Sequence, residues 1–577
     1  MFKFLKDYVK PYWKYLILVT LLALVDVYIQ IDIMEETKTI IDVGIKSNNM
    51  KVIDSSGLYM ITLTILYGIF QVASSYFTAY ISASVTCDVR EGLFDKILSF
   101  SSYDFNKFGN SSLMTRATAD TTRIQIFMIN FLRNALFIPI VIIGVIIATA
   151  KIDLTLCSIL VIAFSLTILF MYIKSNESLP LFNEMQLKLD VLNQKLKEKI
   201  EGARAIRAFS KEDYEIEKFN ELNEEYNEGS IEAELKLYYL TPLALIIMNL
   251  AVLLIYFLGS VQLKEKIVSI SDLILFFQYV TYFISCLSIL PFIIDTLPKT
   301  IVATDRIEEI LYMEESVTNC PTDDIVKEED DAPFIRYKEV IFGYAGAKSV
   351  ITDIDFTAEK GTTTALIGPT GCGKSTTMYL LNRLYDPTFG EILYNGINIK
   401  QINMKDLRDD IAIASQSTNV LNDTVYANIA MGDSGISREK AMEACELSRF
   451  SEVFEFLPDG LDSVMAQGGM NVSGGQKQRL SIARALAKDA EIYVFDDCFS
   501  ALDPKTEYAV RQNIKEHLKG KTVFMIAQKI STIMDADNII VLENGHMVDQ
   551  GTHEYLLENC GLYQEIHATQ SYLKEDD

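Results

Sequence analysis

"TTALIGPTGCGKSTTMYL", residues 363–380, runs from a short β-branched and apolar stretch through a glycine-rich loop into a helical pattern. From Gly368 to Ser375 it fits G-x-x-x-x-G-K-[ST], and Thr376 follows as the helix begins. In a strand-loop-helix setting such a loop lets successive backbone N–H groups wrap a phosphate at a helix N-terminus. Gly368, Thr370, Gly371, Cys372, Gly373 and Thr376 would form the cradle, Lys374 would neutralise the outer phosphates, and Ser375 would ligate Mg²⁺. The stretch therefore predicts a phosphate-binding site for a nucleotide, with Mg²⁺ as an expected cofactor, inside an α/β domain.

Further runs downstream agree with that fold. Ile411 to Ser415, Ile492 to Asp496, Thr522 to Ala527 and Asn538 to Gly545 read as strands alternating with helical segments. With Thr363 to Gly368 they predict a largely parallel sheet for residues 334–577. "NVSGGQKQR", Asn471 to Arg479, opens a second helix on Ser473, Gly474, Gly475 and Gln476, another helix end suited to an anion. Asp496 ends an apolar strand.

The N-terminal half is of another kind. Apolar residues make up 50% of the 577-residue chain although its net charge is −25, so the two classes must be segregated. Ser55–Cys87, Leu154–Ile173, Leu237–Leu263 and Leu273–Ile294 contain no Asp, Glu, Lys or Arg, and each is about long enough to cross a bilayer. With a segment ending at Ala150 and another between Tyr12 and Met34 they predict six membrane helices, near 13–34, 57–86, 131–150, 154–173, 237–263 and 273–294. An all-α polytopic domain over residues 1–310, an acidic linker over 311–333 and the α/β domain follow in that order. Lys3, Lys6, Lys10 and Lys14 precede the first span and place the N-terminus on the cytosolic side of the plasma membrane. An even number of crossings keeps the α/β domain there too. The eight Cys form no CxxC pair, the four His all lie at or beyond His517, and the acidic balance argues against a nucleic-acid partner.

The glycine-rich loop, the SGGQ helix start and the apolar strand ending on Asp496 recur in the order of the ATP-binding cassette (ABC) family, and the chain resembles its six-span exporter half-transporters. The resemblance implies that Tyr344 stacks on adenine, that Gln416 reaches Mg²⁺ beside Ser375 and Asp496, and that Ser500 to Asp503 contact the opposite site. It further implies that Ser473 to Gln476 act in trans, on ATP held by a second chain. Tyr103–Thr118 and Glu201–Tyr214 resemble the regions that flank coupling helices. Coupling of ATP hydrolysis to transport is the implied activity.

Two positions depart from the family pattern. Where hydrolytic sites carry Glu after the metal-holding aspartate, this chain has Asp497, whose carboxylate is retracted by about one C–C bond, ~1.5 Å. Where the family carries a histidine facing the γ-phosphate, it has Gln528, which can donate a hydrogen bond but cannot become cationic. With its signature intact, the chain resembles the degenerate-site subunit of heterodimeric multidrug exporters, paired with a half-transporter that carries the usual Glu and His. A homodimeric exporter of lipid or peptide is the alternative, and an ATP-gated membrane sensor is a third possibility. No peptidase-like domain precedes the first span, so leader-peptide processing is not expected. Asp26, in the first span, is a candidate contact for an amphipathic substrate, since an ionisable group at that depth faces a cavity or a partner. The competing expectation is that Asp26 and Asp32 lie near the outer interface or pair with Lys38.

Overall fold

The computed structural model describes residues 2–287, 290–319, 333–344, 349–416, 418–433 and 435–575. Two compact units emerge, one of residues 1–98 and 111–313, the other of residues 99–110 and 314–577.

The first unit is helical throughout. Its apolar stretches fold as long helices: Trp13–Thr39, Met50–Ser99, Phe137–Ile152, Leu154–Glu201 and Leu240–Lys264. Among the described residues five helices are long and apolar enough to cross a membrane, and Ile270–Cys286 is a shorter apolar helix in the place expected for the sixth. These helices do not hide their apolar surface as those of a water-soluble bundle do. On Met50–Ser99, Leu58, Ile61, Ile65, Ile69 and Val72 are all exposed. Apolar all round, such a helix is suited to hydrocarbon. The charged helices Glu212–Tyr238 and the second half of Leu154–Glu201 continue beyond the apolar zone, as expected.

The interior of this unit gathers Val27, Val141, Val145, Leu160, Met248, Ile255, Phe276, Tyr279 and Phe283. Gly144 lets two helices close on each other, since a Cβ there would lie 3.0 Å from Ile31 and 3.1 Å from Val27. Asp26 stands near the midpoint of Trp13–Thr39 and is only 2% exposed. The expected pairing of these carboxylates with Lys38 does not occur among the described residues. Lys38 pairs with Asp272 at 2.6 Å, while Asp32 accepts a hydrogen bond from Tyr59 at 2.8 Å.

The second unit holds two sheets. One has six strands in the order β10-β9-β3-β8-β7-β6, with β3 Thr363–Ile367, β6 Ile411–Ala414, β7 Ile492–Asp496, β8 Thr522–Ile526, β9 Asn538–Glu543 and β10 His546–Gly551. All are parallel except β10, which runs antiparallel to β9. The other, β2-β1-β4-β5, is antiparallel and was not anticipated as a sheet; it comprises β1 Ile335–Phe342, β2 Ile351–Ala358, β4 Phe389–Tyr394 and β5 Ile397–Asn398. The parallel strands are buried on both faces and so read as continuous apolar runs, whereas β1 and β2 alternate with polar residues and give a weaker signal. Residues 320–332 of the expected linker lie outside the described residues.

Residues 99–110, from within the helical half of the chain, belong to the second unit. Ser101 and Asp104 cap the short helix Ser102–Phe108 reciprocally. Asp104, fully buried, also accepts hydrogen bonds from the backbone N–H of Ser316, at 3.1 Å, and from the Ser316 hydroxyl. Tyr103 packs on the core formed by β1, β2 and β4, and Asn106 donates to the Tyr385 hydroxyl at 3.4 Å. The second expected coupling stretch forms the helix Ala203–Ala208, which has no buried residue.

Candidate nucleotide site

Because β3, β8, β7 and β6 are consecutive in the sheet, the loops at their carboxyl ends open side by side. Four of the predicted groups leave from those ends: the glycine-rich loop after β3, Gln528 after β8, Asp496 and Asp497 at β7, and Gln416 after β6. The crevice outside the carboxyl ends of parallel strands is where α/β sheets bind ligands.

The loop after β3 has a backbone that only glycine tolerates at its ends. Gly368 has φ 154° and a Cβ there would sit 2.0 Å from the Leu542 carbonyl oxygen. Gly373 has φ 100° and a Cβ there would strike Ile351 at 2.5 Å. Between them Gly371 faces open space, so the loop leaves room for a phosphate at the N-terminus of the helix Lys374–Leu381. Lys374 Nζ donates to the carbonyls of Gly368, at 2.7 Å, and Pro369, at 2.9 Å, which holds its charge at the loop mouth. Cys372 is buried beneath the loop.

Ser375 donates its hydroxyl to Asp496 Oδ1 at 2.7 Å, and Tyr379 donates to Oδ2 at 3.3 Å. Asp496 is 1% exposed. That burial raises its carboxyl above the usual carboxylate range, against the pull of the two hydroxyls. Tyr379 is a site residue that sequence reading missed; its signal was only an aromatic four residues after the loop's last serine. Tyr344 lies edge-on to Phe342 and Tyr385, with its hydroxyl 3.0 Å from Thr376 Oγ1.

Asp497 has left the strand. Its φ is 45°, a left-handed conformation more readily adopted by Asp than by longer or branched residues. Its N–H donates to the Ile526 carbonyl at 3.0 Å, and its carbonyl accepts from the Ser500 hydroxyl at 2.9 Å. The side chain turns toward Gln528 and Gln416, and both carboxamides donate to the same oxygen, Oδ2, at 2.8 Å and 3.1 Å. Burial pushes this carboxyl up from its ordinary value, and these two hydrogen bonds pull it back. The two positions singled out as departures are therefore in direct contact.

Ser473 caps the helix Gly474–Ala487, with Gln476 closing the capping box, and Ser473 and Gly474 are exposed. A Cβ on Gly475 would come within 2.8 Å of the Ala501 carbonyl oxygen. Gln478, also missed in the sequence, ties the same helix to the Ser500–Asp503 loop: its Nε2 donates to Ser500 Oγ at 3.2 Å and its Oε1 accepts from the Ala501 N–H at 2.9 Å. Asp503 caps the helix Pro504–His517 by accepting from the Thr506 N–H at 3.0 Å.

These residues suit ATP with a divalent cation. A serine hydroxyl, a carboxylate and a carboxamide oxygen are the hard oxygen donors that Mg²⁺ prefers. The glycine cradle and Lys374 supply the phosphate end.

Comparison with known proteins agrees with this geometry. Residues 351–500 match the family described as ABC transporter, and residues 16–287 match the ABC transporter transmembrane region. The uncharacterized ABC transporter ATP-binding protein YfiB of Bacillus subtilis is 33% identical over 534 residues, which are 92% of each chain. An ATP-dependent lipid A-core flippase of Legionella pneumophila is 28% identical over 99% of this chain and 97% of its own. Among solved structures, a bacterial Atm1-family ABC exporter with ATP bound superposes with a TM-score of 0.82 at 24% identity, covering 96% of this chain and 97% of that one. With an ABC transporter model matching in each half, and at 33% identity to a relative over 92% of its length, the chain belongs to the ABC transporters, with an N-terminal multi-pass membrane domain and a C-terminal cytosolic nucleotide-binding domain.

Proposed function

We propose that this chain is one subunit of a heterodimeric exporter that moves hydrophobic or amphipathic compounds, and that it contributes an ATP site which holds nucleotide better than it cleaves it. The observation that carries this reading is the cluster of Gln416, Gln528 and Asp497. A carboxylate that orients or deprotonates water must come within about 3 Å of it. Here that carboxylate is one methylene short, and one of its oxygens already accepts from two carboxamides. Gln528 brings no positive charge to the developing negative charge of a transferring phosphoryl group.

Binding is supported on the other side of the crevice. Lys374 and the glycine cradle would hold the phosphates, Tyr344 the adenine, and Ser375, Gln416 and Asp496 the Mg²⁺. When bound, Mg²⁺ supplies charge neutralisation at the phosphates. The Ser473–Gln476 helix start, exposed at Ser473 and Gly474, would complete the competent site of a partner that carries Glu and His. Ser102–Phe108, packed on the nucleotide-binding unit through Tyr103, would carry movement between the domains.

In the membrane domain, Asp26 is the proposed substrate contact. It is buried at mid-helix, and its Oδ1 has no hydrogen-bond partner among the described residues. Such a group at that depth argues for a functional role.

A second reading, a homodimeric lipid exporter, draws support from the two Legionella relatives named as lipid A-core flippases, at 28% and 27% identity. Affinity purification from cells that also express a neighbouring half-transporter separates the two. The heterodimer reading expects the second chain to copurify and ATPase activity to rise at least tenfold over this chain alone. Full activity from this chain by itself would favour the homodimer.

A further inference from the structure

Gln528 is held from behind. The turn after β8 runs through Gln528 into the short helix Ile530–Ile533, and two elements grip it. On one side, Arg511 of Pro504–His517 donates to the carbonyls of Ser531 and Thr532, each at 2.9 Å, while the Thr532 hydroxyl donates to Glu507 at 2.6 Å. On the other side lies the C-terminal helix Gly561–Glu575. Its Gln570 uses both ends of one carboxamide: Nε2 donates to the Gln528 carbonyl at 2.7 Å, and Oε1 accepts from the Ile530 N–H at 2.8 Å.

The helix that presents Gln570 is well seated. Tyr563 is fully buried, and Tyr563 and Ile566 belong to the cluster that holds Ile530 and Ile533. The Tyr563 hydroxyl also meets His553 Nδ1 at 2.7 Å. Tyr563, Ile566 and Gln570 follow at i, i+3 and i+7, so one face of the helix carries two apolar anchors and then a carboxamide. A polar residue that continues an apolar stripe, and whose donor and acceptor both end on backbone, fixes that backbone more firmly than packing alone. What it fixes here is the residue whose side chain reaches Asp497.

We infer that Gln570 is a positioning residue of the nucleotide site: it sets the backbone of Gln528, and through it the site's discrimination between ATP and ADP. The inference rests on the reading of Gln528 as the group that faces the terminal phosphate. The hydrogen bonds of the Gln570 side chain end on the backbone of Gln528 and Ile530, not on Asp497.

The test is equilibrium binding of Mg-ATP and of Mg-ADP to the full-length chain in nanodiscs. Losing one to two hydrogen bonds that hold Gln528 should cut the preference for ATP over ADP about 3- to 10-fold in Gln570→Ala and leave ADP affinity unchanged. Gln570→Glu keeps an acceptor for the Ile530 N–H but sets a carboxylate oxygen against the Gln528 carbonyl, acceptor against acceptor, so its loss should be at least as large. In a Gln528→Ala background, Gln570→Ala should add nothing, because the effect passes through Gln528. Equal weakening of ATP and ADP, or effects that add, would overturn the inference by making Gln570 a general structural support. So would an unchanged preference in Gln570→Ala while Gln528→Ala loses it. If Gln528→Ala leaves the preference intact, the reading of Gln528 fails and the inference with it.

Discussion

At the P-loop end of the crevice, each group expected of a phosphate and metal site is present and engaged; at the carboxyl ends of β7 and β8, the two groups expected to act on water are both replaced. The first end has Lys374 on the loop carbonyls and Ser375 and Tyr379 on Asp496. The second has Asp497 and Gln528 bonded to one another, with Gln416 on the same oxygen. On the proposed reading, nucleotide binding and nucleotide cleavage draw on largely different side chains, with Gln416 common to both. A neutral carboxamide faces the short carboxylate and bonds one of its two oxygens.

The strongest way to break that contrast is to rebuild the second set. Asp497→Glu with Gln528→His should raise the ATPase rate of the purified chain at least tenfold, since a positioned acid or base contributes about 10²- to 10⁴-fold. Each single substitution should gain much less. The left-handed backbone at Asp497, φ 45°, tempers the expected gain, because Glu is less at ease there than Asp. A rate unchanged in the double variant would place the deficit elsewhere in the crevice.

A smaller effect is expected far from the nucleotide. Asp26→Asn keeps the shape of the side chain and removes its charge, so transport of a cationic dye into inside-out vesicles should fall several-fold, the worth of about 1 kcal/mol in one interaction. Basal ATP binding should not move. Dye transport equal to that of the unaltered chain would remove Asp26 from the substrate path.

The sequence made the P-loop end legible because phosphate chemistry dictates residue identity there: glycine where a Cβ would collide, lysine and serine where charge and metal must be met. The long apolar helices were legible because hydrocarbon dictates composition over about 20 residues at a time. Asp497 and Gln528 were legible as departures, but their contact was not. They are joined by the parallel pairing of β7 with β8, a register no local pattern reveals. Gln416 reaches the same oxygen from 81 residues away. The antiparallel sheet escaped for a different reason, since the alternation in β1 and β2 is blurred by bulges where β1 meets its neighbours. Lys38 looked free to pair within its own helix, and the Asp272 that takes it comes from the start of another. The brace at Gln570 was hidden for the same reason: the residue it holds lies 42 positions earlier.

The central claim, that this site retains ATP rather than cleaving it, is tested most directly by a single-turnover experiment. The purified full-length chain in nanodiscs is mixed in excess with γ-labelled Mg-ATP, and the bound nucleotide is quenched and resolved over time. The account predicts that label stays on bound ATP for many minutes while Lys374→Ala retains none. Conversion of the bound ATP to ADP and phosphate within seconds, by this chain alone, would contradict it.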